Sequence, residues 1–233
     1  MKEFHVLTAA MLLLLMALLV SASKNVFALP GNQSEKVVAL TFDDGPKEGK
    51  TDIMLNMLKE RNVKATFFVI GAQVGENAEI IKRMDAEGHQ IGIHTYRHVD
   101  LSCLSEAEQK AEVKKSEEAI EAVIGEKNLV LRPPFGEVNK ILEDWLDRPV
   151  ILWSVDTLDW TGRSAEEIIL ETVEAVGDGD IILMHDISDE GVEGAAGIID
   201  ELKRIGYTFL TVDQLFAHRN IELENGEAYH RAR

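Results

Sequence analysis

Short runs of consecutive apolar residues alternate with longer segments whose apolar positions recur every three or four residues, and this rhythm repeats about seven times between residues 37 and 217. Consecutive apolar residues suit a strand buried on both faces, whereas the wider spacing suits a helix with one covered side. Residues 37–42, 64–70, 90–93, 129–131, 150–155, 181–184 and 207–211 read as seven strands. Residues 51–61, 78–87, 106–124, 139–147, 164–176 and 194–205 read as helices, with 214–217 a last turn. Thr51, Ser105 and Ser164 are expected as caps, and Gly71, Gly88, Gly125 and Pro149 as stops. Helix 51–61 should bury Ile53, Leu55, Met57 and Leu58, and helix 106–124 should bury Ala111, Val113, Ala119, Ile120 and Val123.

About seven strand–helix units in series, with nearly all-apolar strands, imply a parallel α/β sheet with helices outside. Candidate polar residues fall just past the strands: Asp43 and Asp44 after the first, His94 and His98 after the third, Arg132 after the fourth. Asp156 follows the fifth, and His185 with Asp186 the sixth. A closed β/α barrel gathers such positions on one face, whereas an open doubly wound sheet spreads them over two crevices. We therefore expect a barrel.

Composition changes this picture little. A chain of 233 residues with 45% hydrophobic and 28% charged positions suits one sizeable domain. A formal charge of −17 and a pI near 4.8 exclude nucleic acid or an anionic membrane surface as the main partner. Cys103 is the only cysteine, so no internal disulfide can form; a buried, inert thiol is expected. The first 28 residues stand apart. Lys2 precedes an apolar run at 6–20 interrupted only by Thr8, then Ser21-Ala22-Ser23 and Val26-Phe27-Ala28. This is a signal-peptide pattern with cleavage after Ala28 or Ser23. The run is shorter than the roughly 20 residues a spanning helix needs, and an uncleaved N-terminal anchor is the alternative. The expected organisation is a leader at 1–28, one folded domain at 35–217 and a polar tail at 218–233. Export to the cell wall or medium is expected, with no stable membrane partner unless the leader is retained.

The stretch Leu40-Thr41-Phe42-Asp43-Asp44-Gly45-Pro46 runs a buried strand into two carboxylates and a turn. Strand side chains alternate, so the two aspartates part company where the strand ends: one can bind a cation while the other stays a free base. His94-Thr95-Tyr96-Arg97-His98 sets two imidazoles four residues apart, a spacing that brings two nitrogens to one cation. With one aspartate they form a shell of two nitrogens and one oxygen that leaves room for water, the pattern of a catalytic zinc site.

Thr41-Phe42-Asp43-Asp44-Gly45, His94-Thr95-x-x-His98, Arg132-Pro133-Pro134-Phe135, Asp156-x-x-Asp159-Trp160 and Leu183-Met184-His185 resemble, in order, the five motifs of the polysaccharide deacetylases, carbohydrate esterase family four. The resemblance covers about 37–216 and implies a distorted barrel of fewer than eight units, here (β/α)7. It implies Asp43 as catalytic base towards a metal-bound water, Asp44, His94 and His98 as ligands of one divalent metal, zinc first, and His185 as general acid. It implies that Arg132 holds Asp43 by a charge-assisted contact, one-pronged or bidentate, and that Asp156 orients His185. The backbone N–H of Phe135 would face the oxyanion, while Trp160 and Leu183 would line a pocket for the acetyl methyl. Many members carry Tyr where this chain has Phe135, so a hydroxyl contact is missing here. Trp145 and Trp153 read as packing residues, and His89 and His218 match no motif.

The activity so implied is hydrolysis of N-acetyl groups on an extracellular aminosugar polymer, peptidoglycan first and chitin-type oligomers second, by a monomer. The rivals are an O-acetyl esterase on xylan, a hydrolase of small amides, and a carbohydrate-binding protein that keeps the fold without chemistry.

Overall fold

Alternation along the first strand sets the architecture. The computed structural model describes residues 35–233, so the expected leader and its cleavage point lie outside the described residues. In Lys36–Asp43 (β1), Val38, Leu40 and Phe42 pack outward against Met54, Leu55 and Leu58 of Thr51–Glu60 (α1). Val37 and Ala39 point the other way, into a second cluster with Phe68, Val130, Ile151 and Ile181. That second cluster is the barrel interior.

Around β1 the sheet is parallel. Thr66–Val69 (β2) lies on one side with Thr41 opposite Thr66, and Gln90–Ile93 (β3) lies beyond it. Ile181–His185 (β6) lies on the other side with Asp43 opposite His185, followed by Val155–Asp156 (β5). The gap between β3 and β5 is closed by single bridges from Ile93 to Leu131 and from Leu131 to Val150 of Val150–Ile151 (β4). The sheet thus curls into the expected distorted barrel with helices outside.

Three differences stand out, the first two with a physical reason. The fourth strand shrinks to a bridge at Leu131, because Pro133 and Pro134 cannot donate to a ladder. The fifth is split at residues 152–154, where the Leu152 carbonyl turns to receive Arg132. The seventh, Tyr207–Leu210 (β7), pairs with the first half of β1 at Lys36–Ala39, below β2 on the same edge, rather than filling a place in the ring. Val212–His218 (α8) follows and closes the barrel floor with Val212, Leu215 and Phe216.

The helices Ala78–Ala86 (α3), Glu106–Ile124 (α4), Lys140–Trp145 (α5) and Ala165–Ala175 (α6) follow the pattern closely, whereas the one-turn helix Gly71–Val74 (α2) starts at a glycine expected only to stop the second strand. Ser105 and Ser164 cap α4 and α6 in reciprocal boxes with Glu108 and Glu167. Thr51 is not a cap; Lys50 takes that position, and the Thr51 hydroxyl reaches Asp186. Asp189–Arg204 (α7) starts five residues before the expectation, capped by Ser188. Within it Gly194 sits against Ile168 of α6, where a Cβ would come within 2.9 Å. Ile53 of α1 and Ala111 of α4 face solvent, contrary to expectation; the inward stripe of α4 is Gln109, Glu112, Val113, Ser116 and Ile120.

The expected polar tail is part of the domain. Ala228–Tyr229 (β8) pairs with β4, Arg231 bridges to Asp180, and Ala232 is fully buried. Cys103 is exposed rather than buried, because only Leu101 of its 3-10 turn reaches the core; its thiol donates to Asp100 Oδ2 at 3.4 Å.

Candidate active site

Where the strands end, the backbone is strained. Of seven non-glycine residues with positive φ among the described residues, five lie in loops past these ends: Asp44, Thr95, His98, Phe135 and Leu158. Each such conformation costs about 1–3 kcal/mol and persists only where surrounding contacts over-determine it. At Asp44, φ of 74° takes the chain out of the strand, so Asp43 keeps facing the interior while Asp44 turns to the rim. The two carboxylates separate as their adjacency requires.

Arg132 holds the interior one. Fully buried, it fills the barrel beneath the site and stacks 4.1 Å from the Phe68 ring centre. Its Nη1 donates to Asp43 Oδ1 and to Thr41 Oγ1, both at 2.8 Å; Nε and Nη2 donate to the carbonyls of Ile151 and Leu152. The contact with Asp43 is one-pronged, since the rest of the fork is spent on backbone. Asp43 Oδ2 looks towards His94 Nε2 at 3.8 Å.

The rim carboxylate meets two imidazoles. Asp44 Oδ1 lies 3.5 Å from His94 Nε2 and 3.2 Å from His98 Nε2, and all three ligand atoms fall within 4.8 Å of one another. Although buried, Asp44 Oδ1 has no hydrogen-bond donor. His94 Nδ1 sits 2.8 Å from the Arg132 carbonyl. A carbonyl only accepts, so Nδ1 carries the hydrogen and Nε2 keeps a lone pair aimed at Asp44. The His94 lone pair, the nearby His98 nitrogen and an orphaned buried carboxylate oxygen together fit a divalent cation. Burial pushes the Asp44 carboxyl up, but the adjacent His94 and His98 outweigh it and hold it well below the ordinary carboxylate range. Closeness to Asp44 likewise raises His98.

Across the cavity stands a second pair. His185 Nδ1 is 2.8 Å from Asp159 Oδ1, and the His185 backbone N–H donates to Asp159 Oδ2 at 2.8 Å. Burial pushes this imidazole down, yet the hydrogen bond and charge of Asp159 prevail and raise it to about 9. The expected partner, Asp156, does not reach it. Its Oδ1 accepts from the Leu158 N–H, and strand register explains why: Asp156 lies beside Leu183, two residues below His185. Only the 3-10 turn Asp159–Thr161 beyond β5 climbs to the right height. Only the register of β5 against β6, which the sequence does not carry, separates the two aspartates. Asp186, next in the chain, is fully buried and pushed up to about 7 by desolvation; the Thr51 hydroxyl donates to it at 2.5 Å.

A cavity of about 410 Å³ brings Asp43, Asp44, His94, His98 and His185 together with Phe135, Trp160, Leu183 and Asp156. Arg132 lies below its floor. Trp153 lines it too, although its sequence reads only as packing. Phe135 and Trp160, each 64% exposed, flank the mouth, with the Phe135 ring edge-on to His98. Two further cavities meet this one at Asp44, one running past Trp160, Arg163 and Ser188, the other past Lys47, Gln73 and Ile187. Sharing Asp44, the three make a trough along the rim. His89 lies elsewhere, buried, its Nδ1 accepting from the Ala65 N–H and its proton affinity pushed down to about 4 by desolvation.

The polysaccharide deacetylase family model matches residues 30–147, just over half of the chain. The chain belongs to the polysaccharide deacetylase family. Peptidoglycan-N-acetylglucosamine deacetylase PgdA of Listeria monocytogenes is 38% identical over 208 residues, covering 89% of this chain but 44% of that protein. The chain therefore spans less than half the length of that curated relative. Among solved structures, peptidoglycan deacetylase PdaC from Bacillus subtilis superposes with a TM-score of 0.78 at 37% identity, over 80% of this chain and 93% of that one. A family 4 acetyl xylan esterase from Clostridium thermocellum in complex with a cobalt ion gives 0.80 at 32% identity, over 84% and 98%. Deacetylase family membership thus agrees with the barrel and with the Asp-His-His cluster at its rim.

Proposed function

We propose that this chain hydrolyses N-acetyl groups on an extracellular aminosugar polymer, peptidoglycan first and chitin-type oligomers second. One observation carries the reading: a cation-ready triad, a buried carboxylate and a strongly basic imidazole face one another across a single cavity. Asp44, His94 and His98 would hold one divalent ion, and two nitrogens with one carboxylate oxygen suit zinc. Such an ion supplies Lewis acidity, acidifying water and polarising a carbonyl.

The chain's own residues do the rest. Asp43, kept in place by Arg132, takes a proton from the attacking water through Oδ2. The N–H of Phe135, turned by its positive φ, serves the developing oxyanion, while Leu183 and Trp160 receive the acetyl methyl. His185, with Nδ1 committed to Asp159, presents Nε2 and gives a proton to the departing nitrogen.

That last role favours the amide over the ester. An amine is a poor leaving group until protonated, so an acid held protonated above neutral pH matters more for an amide than for an O-acetyl group. The trough through Asp44 and the two exposed aromatic rings support a polymer rather than a small amide. The printed names of PgdA and PdaC support peptidoglycan. The apolar run at 6–20 supports export.

The test is acetate release by the purified protein from peptidoglycan and from N-acetylglucosamine oligomers, with chelation and zinc restoration. Chelator-sensitive release that zinc restores is the expected result. Release from acetylated xylan alone would replace the amide by the ester, and a protein that binds no metal would end the catalytic reading.

A further inference from the structure

The five-residue segment that carries His94 and His98 contains two positive-φ residues, Thr95 and His98, and belongs to no helix or strand beyond β3. Its shape is imposed from outside. On one side the Thr95 carbonyl accepts from the Gly71 N–H and the Tyr96 carbonyl from the Ala72 N–H, both at the start of α2. On the other side stands α4. Ser116 Oγ donates to the Thr95 carbonyl at 3.1 Å, and Glu112 Oε2 accepts the N–H groups of Tyr96 at 3.1 Å and Arg97 at 3.0 Å. The other oxygen, Glu112 Oε1, accepts from Arg97 Nε at 2.7 Å.

This use of Glu112 runs against its position. A charged surface helix should turn apolar residues inward, and a buried carboxylate is costly unless fully paired. Yet Glu112 is 5% exposed and Ser116 fully buried, both on the inward stripe of α4. Packing there is tight: a Cβ on Gly71 would come within 2.7 Å of Ser116. Both oxygens of Glu112 are spent on residues 96 and 97, between the two histidines.

We propose that Glu112, backed by Ser116, is a positioning residue that fixes the turn between His94 and His98 and so sets metal affinity without touching the metal. The inference rests on the proposed metal reading of Asp44, His94 and His98.

Glu112→Ala, Glu112→Gln and Ser116→Ala test it beside Glu118→Ala, which removes an exposed carboxylate of the same helix. Each metal-free protein is titrated with zinc against a chromogenic chelator, with circular dichroism and thermal melts reporting folding. In Glu112→Ala the zinc Kd should rise about 10–100-fold, the range for lost outer-shell partners. Glu112→Gln keeps one acceptor oxygen and should lose less, as should Ser116→Ala, while Glu118→Ala should match the parent. An unchanged zinc Kd in folded Glu112→Ala overturns the inference; if that variant does not fold, an unchanged Kd in both Glu112→Gln and Ser116→Ala does so. A parent that binds zinc tightly, and loses that affinity on Glu112→Ala, yet releases no acetate would sink the proposed function and uphold the inference. A parent that binds no zinc would sink both.

Discussion

His94 and His185 face each other across one cavity, each held through Nδ1 at 2.8 Å, and they are prepared for opposite tasks. The partner of His94 is a backbone carbonyl, which fixes a tautomer and leaves Nε2 a bare lone pair. The partner of His185 is a buried carboxylate, which fixes the same tautomer but also stabilises a second proton. One side of the site is thereby suited to hold a cation and the other to give up a proton. The chemistry of an imidazole here is decided less by its own position than by what stands behind it.

Removing the metal side should have the largest effect. On the proposed reading, His94→Ala or Asp44→Ala should lower kcat/KM by about 10³-fold or more, since these residues would hold the ion whose Lewis acidity acidifies water. Zinc should restore the chelated parent and not these variants, as read by acetate release. Next comes the acid side: Asp159→Asn should cost about 10²-fold in kcat/KM, within the usual range for general acid catalysis, with substrate affinity little changed.

The pH profile sharpens the contrast. With Asp159 in place, the His185 pKa is raised from 6.5 to about 9, so the protonated acid persists well above neutrality. A bound cation offsets the help of Asp43 and Asp44 but not that of Asp159. The alkaline limb of kcat/KM should therefore lie above 6.5 and no higher than about 9, moving back towards 6.5 in Asp159→Asn. The pair's contribution to folding has the same sign: complete below 6.5, it fades as pH rises through the folded value, which thermal melts at pH 6 and pH 10 would register. The smallest effect is expected from Asp156→Asn, under about tenfold, because its carboxylate serves only the Leu158 N–H. A loss equal to that of Asp159→Asn would reverse the assignment of the two aspartates.

Much of this was legible in the chain. Strand and helix periodicity located nearly every element, because strands buried on both faces leave continuous apolar runs, and the residues just past those runs did assemble on one face. The sequence could not supply height. Asp156 and Asp159 both follow a strand, and only the register of β5 on β6 decides which one reaches His185. Nor could spacing reveal the brace: Glu112 looks like any charge on a solvated helix until the 94–98 turn is laid against it. Residues 218–233 looked solvated for a similar reason, since β8 is too short and polar to announce itself and exists only by pairing with β4.

That last strand bears on handling the molecule. Arg233 is tied to Asp178 and Asp180 just ahead of β6, and Glu35 leads directly into β1, so both ends of the described domain emerge where the strands begin. The trough opens where the strands finish. A resin, surface or fusion partner coupled at either end would hold the domain by its floor and leave the mouth turned outward, free to meet an insoluble polymer.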